Sequence, residues 1–438
     1  MYKYRYRKED FGYIVSFPSG WVDLYDVGAK ELIEGRKINE LKKYPPMFDS
    51  KNLIKNRIIG INQKNKYKEL LSIDNPLKSP LVVQLELTLK CNLQCKHCFN
   101  SAGEAKKNEL SFEEIKDIIK QLKELEIFSL FLTGGEPTLR EDFVDIVDYA
   151  NKLNMDYFIL TNGMTITEEL LSKLPKRSFF VISCDGISTH KKIRGVSFRQ
   201  IEEVFNLLTK KGFPFCAQYT LQKDNLKGII EAYDWFFKKR IDFGAIDLYM
   251  VGRAKEHPEI FPTKDQLPLI EKIIKKKFEF EKKQQEFYKK YKEKLNVPNP
   301  DMFTFIGRME EIFQRSFSAV FFTYIDSEGN IYPDNWHNAD KLFSGGNLRE
   351  KSFKEIWDRS FKEIRELGKW KNFNDCKKCE LSRYFCDSRL PVLSRNVGGG
   401  FGKCGATPIM KKIMALRIKL REYGYGFSVD KARAVDIW

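Results

Sequence analysis

The nine cysteines are the residues of this sequence best suited to bind metal, and they are unevenly spaced. Seven of the nine, in a chain of 438 residues, fall into two tight groups: Cys91, Cys95 and Cys98, and then Cys376, Cys379, Cys386 and Cys404. The other two, Cys184 and Cys216, stand alone in apolar stretches, which predicts buried small side chains. The first residues do not resemble a secretory signal, so we expect reduced thiols, and clustered reduced thiols predict metal ligands rather than disulfides.

The first group supplies three thiolates from one loop, with the spacing C-x3-C-x2-C. A structural zinc ion normally takes four ligands, and no fourth Cys or His follows at the usual spacing, although His97 is a candidate. Three ligands also suit an iron-sulfur cluster that keeps one iron open. The residues themselves leave both kinds of site possible.

Repeated strand-helix units position this loop. From Leu81 to about Arg253, short apolar runs alternate with amphipathic stretches, which predicts an α/β fold with a parallel sheet. The six predicted strands are Val82–Thr88, Ser129–Thr133, Tyr157–Thr161, Phe179–Ser183, Phe215–Leu221 and Ala245–Met250. Six units are too few for a closed eight-stranded barrel, so we predict a partial (β/α)6 barrel with its active site at the C-terminal strand ends.

Further motifs lie at those strand ends. They are Thr133-Gly134-Gly135-Glu136-Pro137 after the second strand, Thr161-Asn162-Gly163 after the third, and Ser183-Cys184-Asp185-Gly186 after the fourth, followed by His190 and Ile193-Arg194-Gly195. Alone, two glycines after a strand usually form a turn, and a charged loop residue is usually solvated. Their order, spacing and placement together are specific.

With the three-cysteine loop, these motifs resemble the radical S-adenosylmethionine (SAM) superfamily over roughly residues 81–253. The resemblance implies that Cys91, Cys95 and Cys98 hold a [4Fe-4S] cluster whose fourth iron chelates SAM, reduced by a donor such as ferredoxin or flavodoxin. It also implies SAM-binding roles for Gly134, Gly135, Glu136, Asn162, Ser183, Asp185 and Arg194. It assigns no catalytic side chain.

The second cysteine group, C-x2-C-x6-C-x17-C, offers a complete shell for zinc or for an iron-sulfur cluster, and spacing alone slightly favours zinc. The sequence before it, at Ile325–Pro333, Gly346-Asn347-Leu348 and Ile356-Trp357, resembles the SPASM extension, which carries auxiliary [4Fe-4S] clusters. The resemblance implies that Cys376, Cys379, Cys386 and Cys404 ligate one auxiliary cluster. Asp334 and Leu390 stand where the family places ligands of a second, inner cluster, so we expect only one; Asp334 could replace a ligand, accept a proton or simply complete a turn.

Three domains are predicted: a small α+β domain over 1–78, the barrel over 79–300 and a Cys-rich extension over 301–438. The first contains a hairpin, Tyr13–Phe17 and Trp21–Tyr25 around Pro18-Ser19-Gly20, then helical segments at Lys30–Ile33 and around Asn52–Ile61. It resembles the winged-helix peptide-recognition domain of maturases of ribosomally made peptides, in which a leader peptide adds as an edge strand; a plain capping domain fits equally well. Later segments predict a charged helix at Lys264–Tyr291, a hairpin at Phe321–Tyr332 and a helix at Phe353–Leu367.

Charge and hydropathy narrow the class of protein. The 76 Lys and Arg residues exceed the 60 Asp and Glu residues, and the net charge of +16 favours an acidic partner, although such a surface also suits a thermophile. No apolar run approaches the roughly 20 residues of a membrane span, so we exclude a membrane-spanning function and expect a cytoplasmic protein.

These features together predict an enzyme that cleaves SAM reductively and oxidatively modifies a precursor peptide with an acidic leader, by a crosslink or a similar C–H functionalisation. Three alternatives stay open: modification of a tetrapyrrole or other small cofactor, a nucleic-acid-modifying enzyme, and a zinc-stabilised nucleic-acid-binding protein. The second is disfavoured because the basic residues are spread over several helices and no RNA-binding module is apparent.

Overall fold

The computed structural model describes residues 5–16, 22–41, 43–44, 77–277, 279, 318–339, 341–369, 372, 374–377, 379, 404, 411–413 and 415. The predicted turn Pro18-Ser19-Gly20, the helical segment around Asn52–Ile61, Cys386 and Leu390 lie outside these residues. None of the described helices is long and apolar enough to cross a membrane.

The N-terminal part is a small antiparallel sheet with two short helices. Its elements are β1 (Arg5–Glu9), β2 (Gly12–Ser16), β3 (Val22–Tyr25), α1 (Lys30–Glu34) and α2 (Ile38–Leu41), with the strands in the order β1-β2-β3. The pairing of β2 with β3 confirms the predicted hairpin. Strand β1 was not predicted, because its sequence RYRKE has no apolar alternation.

Strands and helices alternate in the central part. They are β4 (Val82–Glu86), α3 (Phe112–Glu124), β5 (Ser129–Thr133), α4 (Phe143–Lys152), β6 (Tyr157–Thr161), α5 (Glu168–Lys173), β7 (Phe179–Ser183), α6 (His190–Arg194), α7 (Phe198–Lys211), β8 (Phe215–Leu221), α8 (Gly228–Lys239) and β9 (Asp242–Asp247). Strands β5 to β8 have the predicted bounds. Strand β4 ends before the predicted Thr88, and β9 starts before the predicted Ala245 because its first residue is the polar Asp242.

The C-terminal part continues the same sheet. Its strands are β10 (Phe322–Ile325), β11 (Asn330–Tyr332) and β12 (Gly346–Asn347), and the nine strands run in the order β12-β11-β10-β4-β5-β6-β7-β8-β9. Strand β10 is parallel to β4, with Phe322 opposite Val82, so the sheet crosses the predicted boundary at residue 300. Strands β4 to β9 are parallel to one another and the described sheet is open, which confirms the α/β partial barrel.

Helical segments follow this sheet. They are α9 (Phe353–Glu355), a π-helical turn (Ile356–Ser360), α10 (Lys362–Leu367) and α11 (Asn374–Lys377), so the predicted helix over Phe353–Leu367 is present with a widened turn. Of the predicted charged helix, residues 267–277 and 279 are helical, and the rest lies outside the described residues.

Alternate residues of each strand pack in two layers. Leu130 and Leu132 pack against the helices, whereas Phe131, Phe158 and Phe179 point to the opposite face of the sheet. The N-terminal sheet is fixed to this barrel by β1, where the buried guanidinium of Arg7 donates to Glu9, to the Ser79 hydroxyl and to the backbone of residues 79 and 80.

Candidate active site

A closed loop after β4 carries the first three cysteines. The Cys91 N–H donates to the Gly103 carbonyl at 2.8 Å and the Gly103 N–H donates to the Leu89 carbonyl at 3.1 Å, so residues 89 and 103 close the base of the loop. Cys95 is buried, while Cys91 and Cys98 are partly exposed. All three line one cavity at the C-terminal ends of the strands, as predicted.

The glycine motif after β5 lies directly on this loop. The Gly135 N–H donates to the Thr88 carbonyl and the Glu136 N–H donates to the Lys90 carbonyl, each at 2.8 Å. A Cβ atom on Gly135 would lie 2.5 Å from the Lys90 carbonyl oxygen and 2.8 Å from the Cys91 Cβ. Only glycine allows this approach, so the motif fixes the position of the cysteine loop and also lines the cavity.

The loop is held from its other side by two residues that the sequence analysis missed. Gly252 has φ +55°, and a Cβ there would lie 2.1 Å from the Phe99 carbonyl oxygen. The Arg253 N–H donates to the Cys98 carbonyl at 3.0 Å, and its guanidinium donates to the carbonyls of Cys95 and Ala102. In the sequence, a Gly-Arg pair after β9 does not indicate that it holds the cysteine loop.

Glu136 does not line the cavity but links two strand ends. Its fully buried carboxylate accepts hydrogen bonds from the Asn162 N–H at 2.7 Å, the Thr161 hydroxyl at 2.7 Å and the Thr138 hydroxyl at 2.6 Å. Burial raises its pKa, and these donors oppose that shift. Asn162 in turn donates to the Asn92 side chain at 2.7 Å, so Glu136 positions a cavity residue and a residue of the cysteine loop.

An ion pair lies beside Cys95. Arg194 Nε donates to Asp185 Oδ2 at 2.6 Å, and Arg194 Nη1 lies 4.0 Å from Cys95 Sγ. Burial alone raises the pKa of Asp185, but attraction to the Arg194 guanidinium, with the hydrogen bond from the Thr220 N–H, outweighs burial, and the pKa lies below its usual value. Arg194 lines the cavity, whereas Asp185 lies behind it and also accepts from the Thr220 N–H at 2.8 Å. Arg194 is therefore not a solvated loop residue: it lines the cavity and is paired with Asp185.

His97 is part of the same buried group. Its Nδ1 is 2.9 Å from Gln222 Nε2, and its Nε2 is 3.7 Å from Asp185 Oδ2. Burial and the nearby Arg194 lower its pKa to about 4, so the ring is neutral near pH 7. Among the described residues no group of three or more Cys, His, Asp or Glu side chains is placed to hold a single metal ion.

The cavity itself has a volume of about 290 Å³. The predicted residues that line it are Cys91, Cys95, Cys98, Gly134, Gly135, Asn162, Ser183 and Arg194. Aromatic rings from β5, β6 and β7 form much of the remaining wall, with Phe131 and Phe158 stacked at 4.6 Å. The site is therefore polar at the strand ends and aromatic deeper inside.

The second cysteine group is described only in part. Cys379 and Cys404 are partly exposed, Cys376 lies in α11, and Cys386 is outside the described residues. The Cys404 N–H donates to the Asp375 carboxylate at 2.8 Å, which brings the last cysteine of the group back to the first turn of α11.

The residues of the cysteine loop fit an iron-sulfur cluster. The Leu93 N–H donates to Cys91 Sγ and the Ala102 N–H to Cys98 Sγ, each at 3.4 Å, and Arg194 faces the sulfur of Cys95. Burial raises the pKa of Cys91 to about 11 and also raises that of Cys95, so the thiolate forms depend on such donors and on a bound metal.

Comparisons with known proteins agree with this site. The profile of the Radical SAM superfamily matches residues 85–236, and that of the SPASM iron-sulfur cluster-binding domain matches residues 318–380. An AdoMet-dependent heme synthase of Methanosarcina barkeri is 25% identical over 70% of this chain and 90% of its own. The mycofactocin maturase MftC of Mycolicibacterium smegmatis is 28% identical over 66% of this chain and 74% of its own.

Solved structures share the fold over most of the chain. Streptococcus suis SuiB bound to S-adenosylmethionine has a TM-score of 0.63 at 19% identity, and SuiB bound to the precursor peptide SuiA has 0.62 at 18%; each match covers 92% of this chain and 98% of SuiB. A coverage of 92% exceeds the share of the chain after residue 78, so these matches also include residues before that position. The matches to the two family models set aside the zinc-stabilised, nucleic-acid-binding alternative. The chain carries a radical SAM superfamily domain over residues 85–236 and a SPASM iron-sulfur cluster-binding domain over residues 318–380, and it is an enzyme that uses SAM and [4Fe-4S] clusters.

Proposed function

We propose that this enzyme oxidatively modifies a ribosomally synthesised precursor peptide, by a crosslink or a similar C–H functionalisation. The observation that carries the proposal is the cavity, in which the cysteine loop and the strand-end motifs face an aromatic wall across about 290 Å³. When bound, the cluster and SAM supply a 5′-deoxyadenosyl radical that abstracts hydrogen from an unactivated C–H bond. The protein supplies orientation and exclusion of water.

Each group of site residues has its own task in this proposal. Cys91, Cys95 and Cys98 hold the cluster, and Arg253 fixes the loop that carries them. The Gly134-Gly135 backbone, Asn162 and Ser183 line the place for SAM. Arg194, held by Asp185, provides the positive charge that a SAM carboxylate requires. Glu136 and Asp185 act as positioning residues.

We assign Cys376, Cys379, Cys386 and Cys404 to a single auxiliary cluster. Four thiolates complete its coordination, so its iron is closed to substrate, and electron transfer or support of the extension is its task. The absence of an inner cluster is supported by Asp334, whose carboxylate accepts from the N–H groups of Trp336 at 2.8 Å and His337 at 3.0 Å and from the Ser318 hydroxyl. Asp334 is thus a satisfied turn residue.

The size of the cavity supports a peptide over a tetrapyrrole. A volume of about 290 Å³ lies just below the roughly 300–1,000 Å³ of ordinary ligand pockets and suits a peptide side chain better than a macrocycle. Similarity to the maturase MftC and to SuiB, which was solved with a precursor peptide, favours a peptide substrate. Similarity to a heme synthase keeps a tetrapyrrole as the second candidate.

We assign recognition of the leader peptide to the N-terminal sheet. Strand β1 faces the barrel through Arg7, so strand addition is expected at β3, the opposite end of the sheet. The segment after β3 exposes Lys30, Arg36 and Lys37 together with three glutamates, so the expected acidic leader rests on the net charge of +16. The match to SuiB extends over this part of the chain, which supports the assignment.

We place the reaction in the cytoplasm, where thiols stay reduced and a ferredoxin or flavodoxin can act as the electron donor.

The test is anaerobic co-expression with the short reading frames that flank the gene. A modified peptide should lose hydrogen, which mass spectrometry detects, and the triple variant Cys91→Ala/Cys95→Ala/Cys98→Ala should give neither this change nor 5′-deoxyadenosine under dithionite. The matched control is the variant Cys184→Ala, which replaces a buried cysteine that belongs to neither group. This variant should retain both peptide modification and production of 5′-deoxyadenosine. Production of 5′-deoxyadenosine by the triple variant would refute the cluster assignment, and turnover of a tetrapyrrole in place of any peptide would favour the second candidate.

A further inference from the structure

The C-terminal part contributes two neighbouring side chains to the cavity wall. Within the described part of the chain, Asn335 and Trp336 are the lining residues that come from beyond the barrel. The indole of Trp336 packs on Tyr249 with ring centroids 5.0 Å apart, which fixes one side of the wall. Asn335 stands next to it on the same turn.

That turn is rigid, so the position of Asn335 is set before any substrate binds. Asp334 accepts hydrogen bonds from the N–H groups of the two residues that follow Asn335, and the Ala319 N–H donates to the Pro333 carbonyl at 2.9 Å. His337 Nδ1 also lies 2.7 Å from Asp334 Oδ1. A side chain held on such a turn meets a ligand with little further loss of conformational entropy.

The carboxamide oxygen of Asn335 has no hydrogen-bond partner among the described residues. The residue is only 7% exposed, yet its Oδ1 accepts no hydrogen bond from the described residues. A buried acceptor left unpaired costs about 1–3 kcal/mol, so natural proteins keep such groups mainly where a ligand completes them. The ligand that completes this one must enter the cavity.

We infer that Asn335 binds the backbone of one substrate residue, with its carboxamide oxygen accepting that residue's N–H and its NH₂ donating to that residue's carbonyl. A carboxamide offers an acceptor and donors side by side, and the N–H and C=O of one extended residue point to the same side of the chain and form the complementary pair. Asn335 thus holds the substrate backbone, while the aromatic wall receives an apolar side chain. This inference rests on the proposed peptide substrate and adds that a backbone segment, not only a side chain, enters the cavity.

Two small probes that differ in one N–H group test this. N-methylhydrocinnamamide carries one peptide group and a phenyl ring, and methyl hydrocinnamate replaces the N–H by an ester oxygen. Binding to the cluster-loaded full chain is measured by ligand-observed NMR. We expect the wild-type protein to bind the amide roughly 3- to 10-fold more tightly than the ester, the factor that one net hydrogen bond provides.

Variant Asn335→Leu, of similar volume, should bind both probes equally and should not lower the melting temperature, because the unpaired polar group is gone. Variant Asn330→Ala is the matched control: this asparagine bonds to Asp326 outside the cavity, and its loss should leave the preference intact. Equal binding of both probes by the wild type, a preference retained in Asn335→Leu, or a lower melting temperature of that variant would overturn the inference alone. Binding of neither probe at millimolar concentration would overturn the peptide substrate as well.

Discussion

Protonation of Glu86 should change the stability of the fold near neutral pH. The side chain is buried at the end of β4, where its carboxylate accepts from the Asn100 amide at 2.8 Å, the Ser327 N–H at 3.0 Å and the Tyr324 hydroxyl. These partners join β4 to the end of the cysteine loop and to the C-terminal hairpin. Burial raises the pKa of Glu86 from 4.5 to about 7, although the hydrogen bonds oppose the shift.

The sign and size of the effect follow from this pKa. A carboxyl whose pKa is higher in the folded than in the unfolded state binds its proton more tightly when folded, so its contribution to stability is complete below about pH 4.5 and is lost as the pH rises to about 7. At about 1.4 kcal/mol per pH unit the loss is about 3 kcal/mol. For 438 residues, whose unfolding entropy is roughly 2 cal/mol/K each, this corresponds to about 3 to 4 °C in melting temperature.

The assay compares melting temperatures of the cluster-loaded wild type and Glu86→Gln between about pH 4.5 and about pH 7. The amide mimics the neutral carboxyl, so the wild type should lose about 3 to 4 °C relative to the variant over this range. The variant Tyr324→Phe removes a donor that lowers the pKa of Glu86 and should extend the loss to higher pH. Parallel curves for wild type and Glu86→Gln would refute the reasoning, because Glu86 would then be ionised in the folded protein throughout.

Three further outcomes are expected. Reconstituted protein should hold about eight irons, four per cluster, and a count near twelve by chemical iron assay would contradict a single auxiliary cluster. Variant Asp185→Asn leaves Arg194 buried without its anion, so unfolding should become about 3–5 kcal/mol easier in a denaturant titration and SAM cleavage should fall, whereas an unchanged denaturation midpoint would show that the pair is unimportant. Variant Lys30→Glu/Lys37→Glu should weaken leader binding most at low salt, since charges are screened over about 8 Å at 0.15 M; a salt-independent effect in calorimetry would argue against charge attraction.

The elements of the barrel were predictable because each strand is a short apolar run between polar segments. Strands β5 to β8 keep their predicted bounds for this reason, and the strand-end motifs meet in one cavity because parallel strands bring their carboxyl ends to one edge. Strand β1 and the start of β9 were missed because polar residues interrupt the pattern there.

The supporting contacts of the site were not predictable from spacing. Glu86 and Arg253 act on the cysteine loop from outside the motifs, through contacts with Asn100 and with backbone carbonyls that only the folded chain brings together. Glu136 and Asp185 belong to recognisable motifs, yet their side chains face away from the cavity and hold Asn162 and Arg194. A motif identifies which residues take part, whereas burial and partner choice decide whether a residue contacts the ligand or positions one that does.

Asp334 shows how one substitution changes the use of a whole turn. A cysteine at this position would direct a thiolate to iron, but the carboxylate of Asp334 already accepts from two backbone N–H groups and from Ser318, with His337 Nδ1 at 2.7 Å. Three hydrogen-bond donors therefore already engage the Asp334 carboxylate. Because those partners include the N–H groups on the far side of Asn335, the same hydrogen bonds that engage the carboxylate also hold Asn335 against the cavity. The satisfied carboxylate, which supports our proposal of a single auxiliary cluster, and the presentation of the carboxamide are thus two consequences of one local geometry.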